Sequence, residues 1–152
     1  MNEETVKAFM QQNSIPGEHL TFTQSCHSVQ EAAQAVNALP KDFIKSICMV
    51  DCEGSMIVAI VTGAHKASTS RVAKALDIAR PRIATPEEIA EKTGYPVGGV
   101  PPFGFDAVFL IDPEVMEKDL VYGGGGSDHS LVKVSPQELQ NANHGRVVRV
   151  RK

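Results

Sequence analysis

A chain of 152 residues, 42% of them apolar and 22% charged, has the length and composition of one globular domain. Its apolar runs fall far short of the roughly 20 residues that cross a bilayer, and the polar start MNEETVKAFM is unlike a signal peptide, so a single cytoplasmic domain over residues 1–152, with no membrane partner, is expected. The net charge of −3 excludes a uniformly basic nucleic-acid binder, and three cysteines, Cys26, Cys48 and Cys52, cannot all pair within one chain and need not pair in a reducing compartment.

Glu3 to Gln12 reads as a helix and Leu20 to Phe22 as a short strand. Ser28-Val29-Gln30-Glu31 has the form of a capping box. It opens a helix that puts Val29, Ala32, Ala33, Val36 and Leu39 on one face until Pro40 ends it. Ile44 to Asp51 and Met56 to Val61 read as two strands around the turn Cys52-Glu53-Gly54-Ser55. A helix follows from about Ser70 to Asp77, then a short strand from Arg82 to Ala84. Thr85-Pro86-Glu87-Glu88 combines an N-cap, a proline at the first helical position and an acid three residues after the cap; that helix stops at Gly94. After a long loop, Ala107 to Ile111, Leu120 to Tyr122 and Leu131 to Val134 read as strands. Ser135-Pro136-Gln137-Glu138 starts another helix, and Arg146 to Val150 is the last strand. Helix and strand alternate without a regular βαβ rhythm. The expected fold class is therefore α+β: a curved, mixed, mostly antiparallel, barrel-like sheet with flanking helices.

Charge is segregated along the chain: −4 over residues 1–60, +4 over 61–84, −7 over 85–128 and +4 over 129–152. The basic blocks carry Lys66, Arg71, Lys74, Arg80 and Arg82, then Lys133, Arg146, Arg149, Arg151 and Lys152. They could build a phosphate-attracting face on an acidic protein, or stand as separate solvated faces.

Three local features invite a chemical reading. Lys45 lies in a strand apolar on both faces, with Phe43, Ile47 and Met49 on one and Ile44, Cys48 and Val50 on the other. A lysine there either points its ammonium into a cleft or onto an anion, or snorkels to water from the strand's start. The loop from Tyr95 to Phe105 combines Gly98 and Gly99, which allow close backbone approach, with Pro101 and Pro102, which stiffen it. A stiff loop of bare backbone suits fixed donors and acceptors for a polar substrate, although it could be a plain crossover. The run Gly123 to Gly126, followed by Ser127, Asp128 and His129, lacks the Lys-Ser/Thr of a P-loop and the spacing of a dinucleotide fingerprint. It reads either as a turn or as a flexible rim bringing Asp128 and His129 to a pocket. Cys48 and Cys52 form a lone Cys-x3-Cys without the second pair that a structural zinc site needs, so no metal is expected. No G-x-S-x-G elbow is present to anchor a serine triad.

Taken in order, the strand lysine Lys45 beside Ser46, the strand Ile57 to Thr62 ending at Gly63, the helix Ser70 to Leu76, the segment Ala84-Thr85-Pro86-Glu87-Glu88, and the G-x-x-x-P loop from Gly98 to Pro102 with Phe103 resemble the YbaK and prolyl-tRNA-synthetase editing family over about residues 20–140. The resemblance implies a YbaK-like fold and hydrolysis of the ester joining a wrong amino acid to tRNA, with no metal or organic cofactor. It implies that Lys45 holds the phosphate of the terminal adenosine, with Ser46 beside it. The backbone of Gly98, Gly99 and Val100 would position the carbonyl, with water attacking and a ribose hydroxyl as proton relay. Pro101, Pro102 and Phe103 would shape the aminoacyl pocket. Asp128 and His129 align loosely with a polar position bordering it, although the glycine run departs from the commoner pattern. The implied partner is the acceptor end of an aminoacyl-tRNA charged with a small amino acid of the cysteine, alanine or serine class, with a synthetase as a possible second partner. Two other readings remain at this stage: a non-catalytic module that binds aminoacyl-adenosine or the tRNA end, and a thiol or zinc hydrolase built on Cys48 and Cys52.

Overall fold

The structure is a computed structural model and describes residues 1–23 and 28–152; Cys26 lies outside the described residues. The order along the chain is α1 (Glu3–Gln12), β1 (Glu18–Thr21), α2 (Val29–Val36), a single 3-10 turn (Pro40–Asp42), β2 (Ile44–Val50), β3 (Met56–Thr62), α3 (Thr69–Leu76), β4 (Arg82–Ile83), α4 (Pro86–Thr93), β5 (Val108–Ile111), α5 (Pro113–Met116), β6 (Val121–Gly124), β7 (Ser130–Val134), α6 (Pro136–Asn143) and β8 (Arg146–Val147).

Five strands form one sheet in the order β4-β2-β3-β5-β8, and three form a second in the order β1-β7-β6. The pairs β2–β3, β2–β4, β1–β7 and β6–β7 are antiparallel, whereas β3–β5 and β5–β8 are parallel. The fold is thus α+β and mixed, as the sequence suggests. The strands do not form one curved sheet: they divide into two, which touch through a parallel bridge between Phe43 and Tyr122, whose rings stack with centroids 4.9 Å apart. No closed barrel forms among the described residues.

Every residue of β3 is buried, which is the signature of a central strand covered on both faces. Ile57, Ala59 and Val61 face a core under α3, with Val72, Leu110 and Val150. Val58 and Ile60 face the larger core, with Ile44, Cys48 and Val50 from β2. The helices begin where their caps dictate. Asn2, Ser28, Ser68, Thr85, Asp112 and Ser135 each accept a hydrogen bond from a backbone amide of the first turn. The helix at Ser28 stops at Val36 rather than running to Leu39, because Asn37 adopts a left-handed cap with φ 56°. The 3-10 turn then leads into β2 and delivers Lys45 one residue inside that strand.

A candidate active site at the seam of two sheets

The first residues of β2 form one side of a pocket where the two sheets meet. Phe43, Ile44, Lys45, Ser46 and Ile47 line it from the larger sheet, Gly123, Gly124 and Leu131 from the smaller. Val29 and Ala32 of α2 and Ile89 of α4 supply apolar walls, while Val97, Gly98 and Val100 come from the loop after α4. Its volume is about 190 Å³.

Lys45 pairs with Val61 across the hairpin and is half-buried. Its ammonium is bound to no other described residue. Burial of the charge, and second the positive charge of Lys66, lower its pKa from the ordinary lysine value. A desolvated cation without a counter-charge is a ready receptor for an anion.

The loop opposite is held in its shape by backbone packing. Gly98 sits at φ +86°, a left-handed conformation that side chains disfavour. Gly99 donates to Pro96 O at 3.0 Å, and its own carbonyl accepts from Gly126 N–H at 2.8 Å. A Cβ on Gly124 would collide with the Val100 carbonyl, so the two glycine-rich segments lie backbone against backbone. The amides of Gly98 and Val100 donate to no other described group. Two uncommitted N–H groups in a rigid loop beside a cation can stabilise negative charge developing on a carbonyl oxygen.

Of the residues singled out in the sequence, the structure gathers Lys45, Ser46, Gly98 and Val100 around one pocket. Gly99 lies directly behind, against the backbone of Ser127. Pro101, Pro102 and Phe103 are buried next to the pocket without lining it. The Pro102 carbonyl accepts from Asn143 Nδ2 at 2.9 Å, and the Phe103 ring stacks on Phe9 with centroids 5.5 Å apart. Asp128 Oδ1 meets His129 Nδ1, and both residues lie outside the lining. The glycine run does not form a flexible rim: Gly123 and Gly124 belong to β6, paired with Val132 and Leu131. The sequence reading missed the apolar walls Val29, Ala32, Ile89 and Leu131. Their signal was no more than membership of apolar faces, which core residues share.

Cys48 is buried, and burial pushes its thiol up to about 11, far from a reactive thiolate at neutral pH. Cys52 is exposed in the β2–β3 turn. Among the described residues no three of His, Cys, Asp and Glu gather as metal ligands, and no helix is long and apolar enough to cross a membrane.

Residues 23–142 match the model of the aminoacyl-tRNA editing domain. The chain is 24% identical over 149 residues to the uncharacterized protein YwhH of Bacillus subtilis (strain 168), covering 97% of this chain and 94% of that protein. It is 30% identical over 129 residues to the proline–tRNA ligase of Thermotoga maritima, covering 84% of this chain and only 21% of the ligase. A crystal structure assigned provisionally as a trans-editing enzyme for prolyl-tRNA synthetase superposes with a TM-score of 0.90 at 25% identity, covering 99% of this chain and 96% of that one.

Proposed function

The chain belongs to the aminoacyl-tRNA editing domain family, and from that premise we propose that residues 1–152 act as one stand-alone domain that hydrolyses, in trans, the ester of a tRNA charged with a small, wrong amino acid. One observation carries the reading: Lys45, Gly98 and Val100 line the same pocket, and the amides of Gly98 and Val100 donate to no other described group. The pocket's volume of about 190 Å³ is below the ~300–1,000 Å³ usual for sites that enclose a whole ligand. That favours enclosure of a small aminoacyl group of the alanine, serine or cysteine class, with the adenosine held at the mouth.

In this mechanism Lys45 binds the phosphate of the terminal adenosine, and Ser46 lies beside it. Water adds to the aminoacyl carbonyl, the oxygen becomes negative, and the amides at Gly98 and Val100 receive that charge. The C–O bond to the ribose then breaks, and the departing ribose oxygen takes a proton. No carboxylate or imidazole lines the pocket among the described residues, so the neighbouring ribose hydroxyl is the proposed proton relay.

The acceptor stem would then meet the basic blocks. The C-terminal block runs beside the first one: Ala67 bridges Arg151, and Lys152 N–H donates to Lys66 O at 2.9 Å. Arg151 is engaged by Asp112, and Arg82 by Glu88. Lys66, Arg71, Lys74, Arg149 and Lys152 are exposed and supply the proposed phosphate contacts, with a synthetase as a further partner of the complex.

The test is release of amino acid from a panel of tRNAs mischarged with small amino acids, with Lys45→Ala alongside. Cleavage of at least one ester, slowed about 100-fold by the substitution, is the expected outcome. No cleavage of any ester, with tRNA binding unaltered in Lys45→Ala, overturns the reading.

A further inference from the structure

We propose that Glu3, at the start of α1, is a positioning residue for the Gly98–Val100 backbone, acting through Ser127. The inference rests on the editing reading for its consequence in catalysis. Glu3 itself lies outside the matched family segment, since α1 precedes residue 23.

The Ser127 hydroxyl donates to Glu3 Oε1 at 2.6 Å. Ser127 Oγ in turn accepts from His129 N–H at 3.1 Å and lies 2.9 Å from Ser130 Oγ. Ser130 Oγ, in a residue only 1% exposed, accepts from Ser127 N–H at 3.1 Å. With its proton directed to Glu3 and its oxygen accepting from His129 N–H, the Ser127 hydroxyl is held at both its donor and its acceptor side.

Ser127 in turn fixes the loop. A Cβ on Gly99 would lie 2.8 Å from Ser127 N, so the two backbones are in direct contact. The adjacent Gly126 N–H donates to Gly99 O at 2.8 Å. Movement of Ser127 is therefore passed to Gly99, between the two amides assigned to the oxyanion. The helix carrying Glu3 also meets the far end of the loop, where Phe9 stacks on Phe103. A carboxylate in the first turn of α1 is favoured by the helix dipole. Removing it leaves the Ser127 hydroxyl to seek another acceptor, and small displacements of reacting groups are costly.

The experiment compares Glu3→Ala and Glu3→Gln with the unaltered protein, by deacylation kinetics on the mischarged panel and by NMR amide exchange at Gly126. Gln keeps an oxygen acceptor and loses the charge. For Glu3→Ala we expect kcat to fall about tenfold with KM within about twofold, and Gly126 to exchange at least about tenfold faster. Glu3→Gln should stay within about twofold of the unaltered protein in both. Unchanged kcat and exchange in Glu3→Ala overturn the proposal. So do equal losses in Ala and Gln, which would assign the effect to charge on α1, and a rise in exchange spread evenly over the domain, which would assign it to stability. If the unaltered protein cleaves no ester, the editing reading fails by itself, and the Gly126 exchange still decides whether Glu3 governs the loop.

Discussion

Burial and the neighbouring Lys66 lower the pKa of Lys45, so holding it as an ammonium costs the ligand-free protein stability. That cost is fully present below the lowered pKa of the folded state and is relieved as pH rises through it towards the ordinary lysine value. Lys45→Met is therefore expected to raise the melting temperature at neutral pH while slowing deacylation about 100-fold, and the stability gain should shrink in alkaline buffer. Thermal unfolding at neutral and alkaline pH checks both. Lys45 was legible in the sequence because a lysine in an apolar strand is conspicuous. Lys66 was visible only as one member of a basic block, since nothing local reports that a residue 21 positions on approaches the same charge. Phe103 illustrates the opposite limit. It stands in the loop that carries the site, but its ring is 1% exposed and stacked on a helix from the other end of the chain.

The short helix α5 is tied to the C-terminal segment by its own cap. Asp112 is 1% exposed, and its carboxylate accepts from the amides of Glu114, Val150 and Arg151 and from the Arg151 guanidinium at 2.8 Å. Burial raises its pKa, but these four donors outweigh it and hold the group below the usual carboxylate value. Asp112→Ala leaves three amides and a guanidinium without their acceptor, and is expected to cost about 3 kcal/mol in urea unfolding. The start signal Asp112-Pro113-Glu114 has the same grammar as those of α4 and α6, which were read from sequence. It was passed over because four residues carry no periodicity. In the sequence the strand β6 reads as Leu120 to Tyr122, and glycine weakens strands. It continues to Gly124 because only a residue without Cβ lets β6 pass the Val100 carbonyl. The helix α4 is legible at both ends, since its cap, its first-turn proline and its glycine stop all agree; α1 has the bounds Glu3–Gln12 that its sequence suggests.

The two basic blocks become neighbours because the C-terminal segment runs alongside residues 66–68 and Arg146 reaches the Ala75 carbonyl. Their charge was readable in the sequence and their adjacency was not, as pairing of distant segments has no local signature. The division into two sheets was hidden for the same reason: hydrophobic alternation reports that a segment is a strand, not which strand it joins. If the shared basic face holds the acceptor stem, tRNA affinity falls steeply with salt, and Arg71→Glu with Lys74→Glu reduces the slope of log K against log salt by about 2. Cleavage of a short aminoacylated CCA fragment, which lacks the stem, should be unaffected by the pair. Filter binding across a salt series and single-turnover assays on both substrates check this.

The pocket is assembled from two kinds of wall. The one proposed to handle the reacting carbonyl is main chain, where Gly98 and Gly124 contribute no side chain at all. Val29, Ala32, Ile89 and Leu131 supply aliphatic lining. Exchanging one aliphatic for another among these changes the room in the pocket while leaving the main-chain wall its own residues. The size of the pocket and the shape of its main-chain wall are therefore written in different residues of the chain.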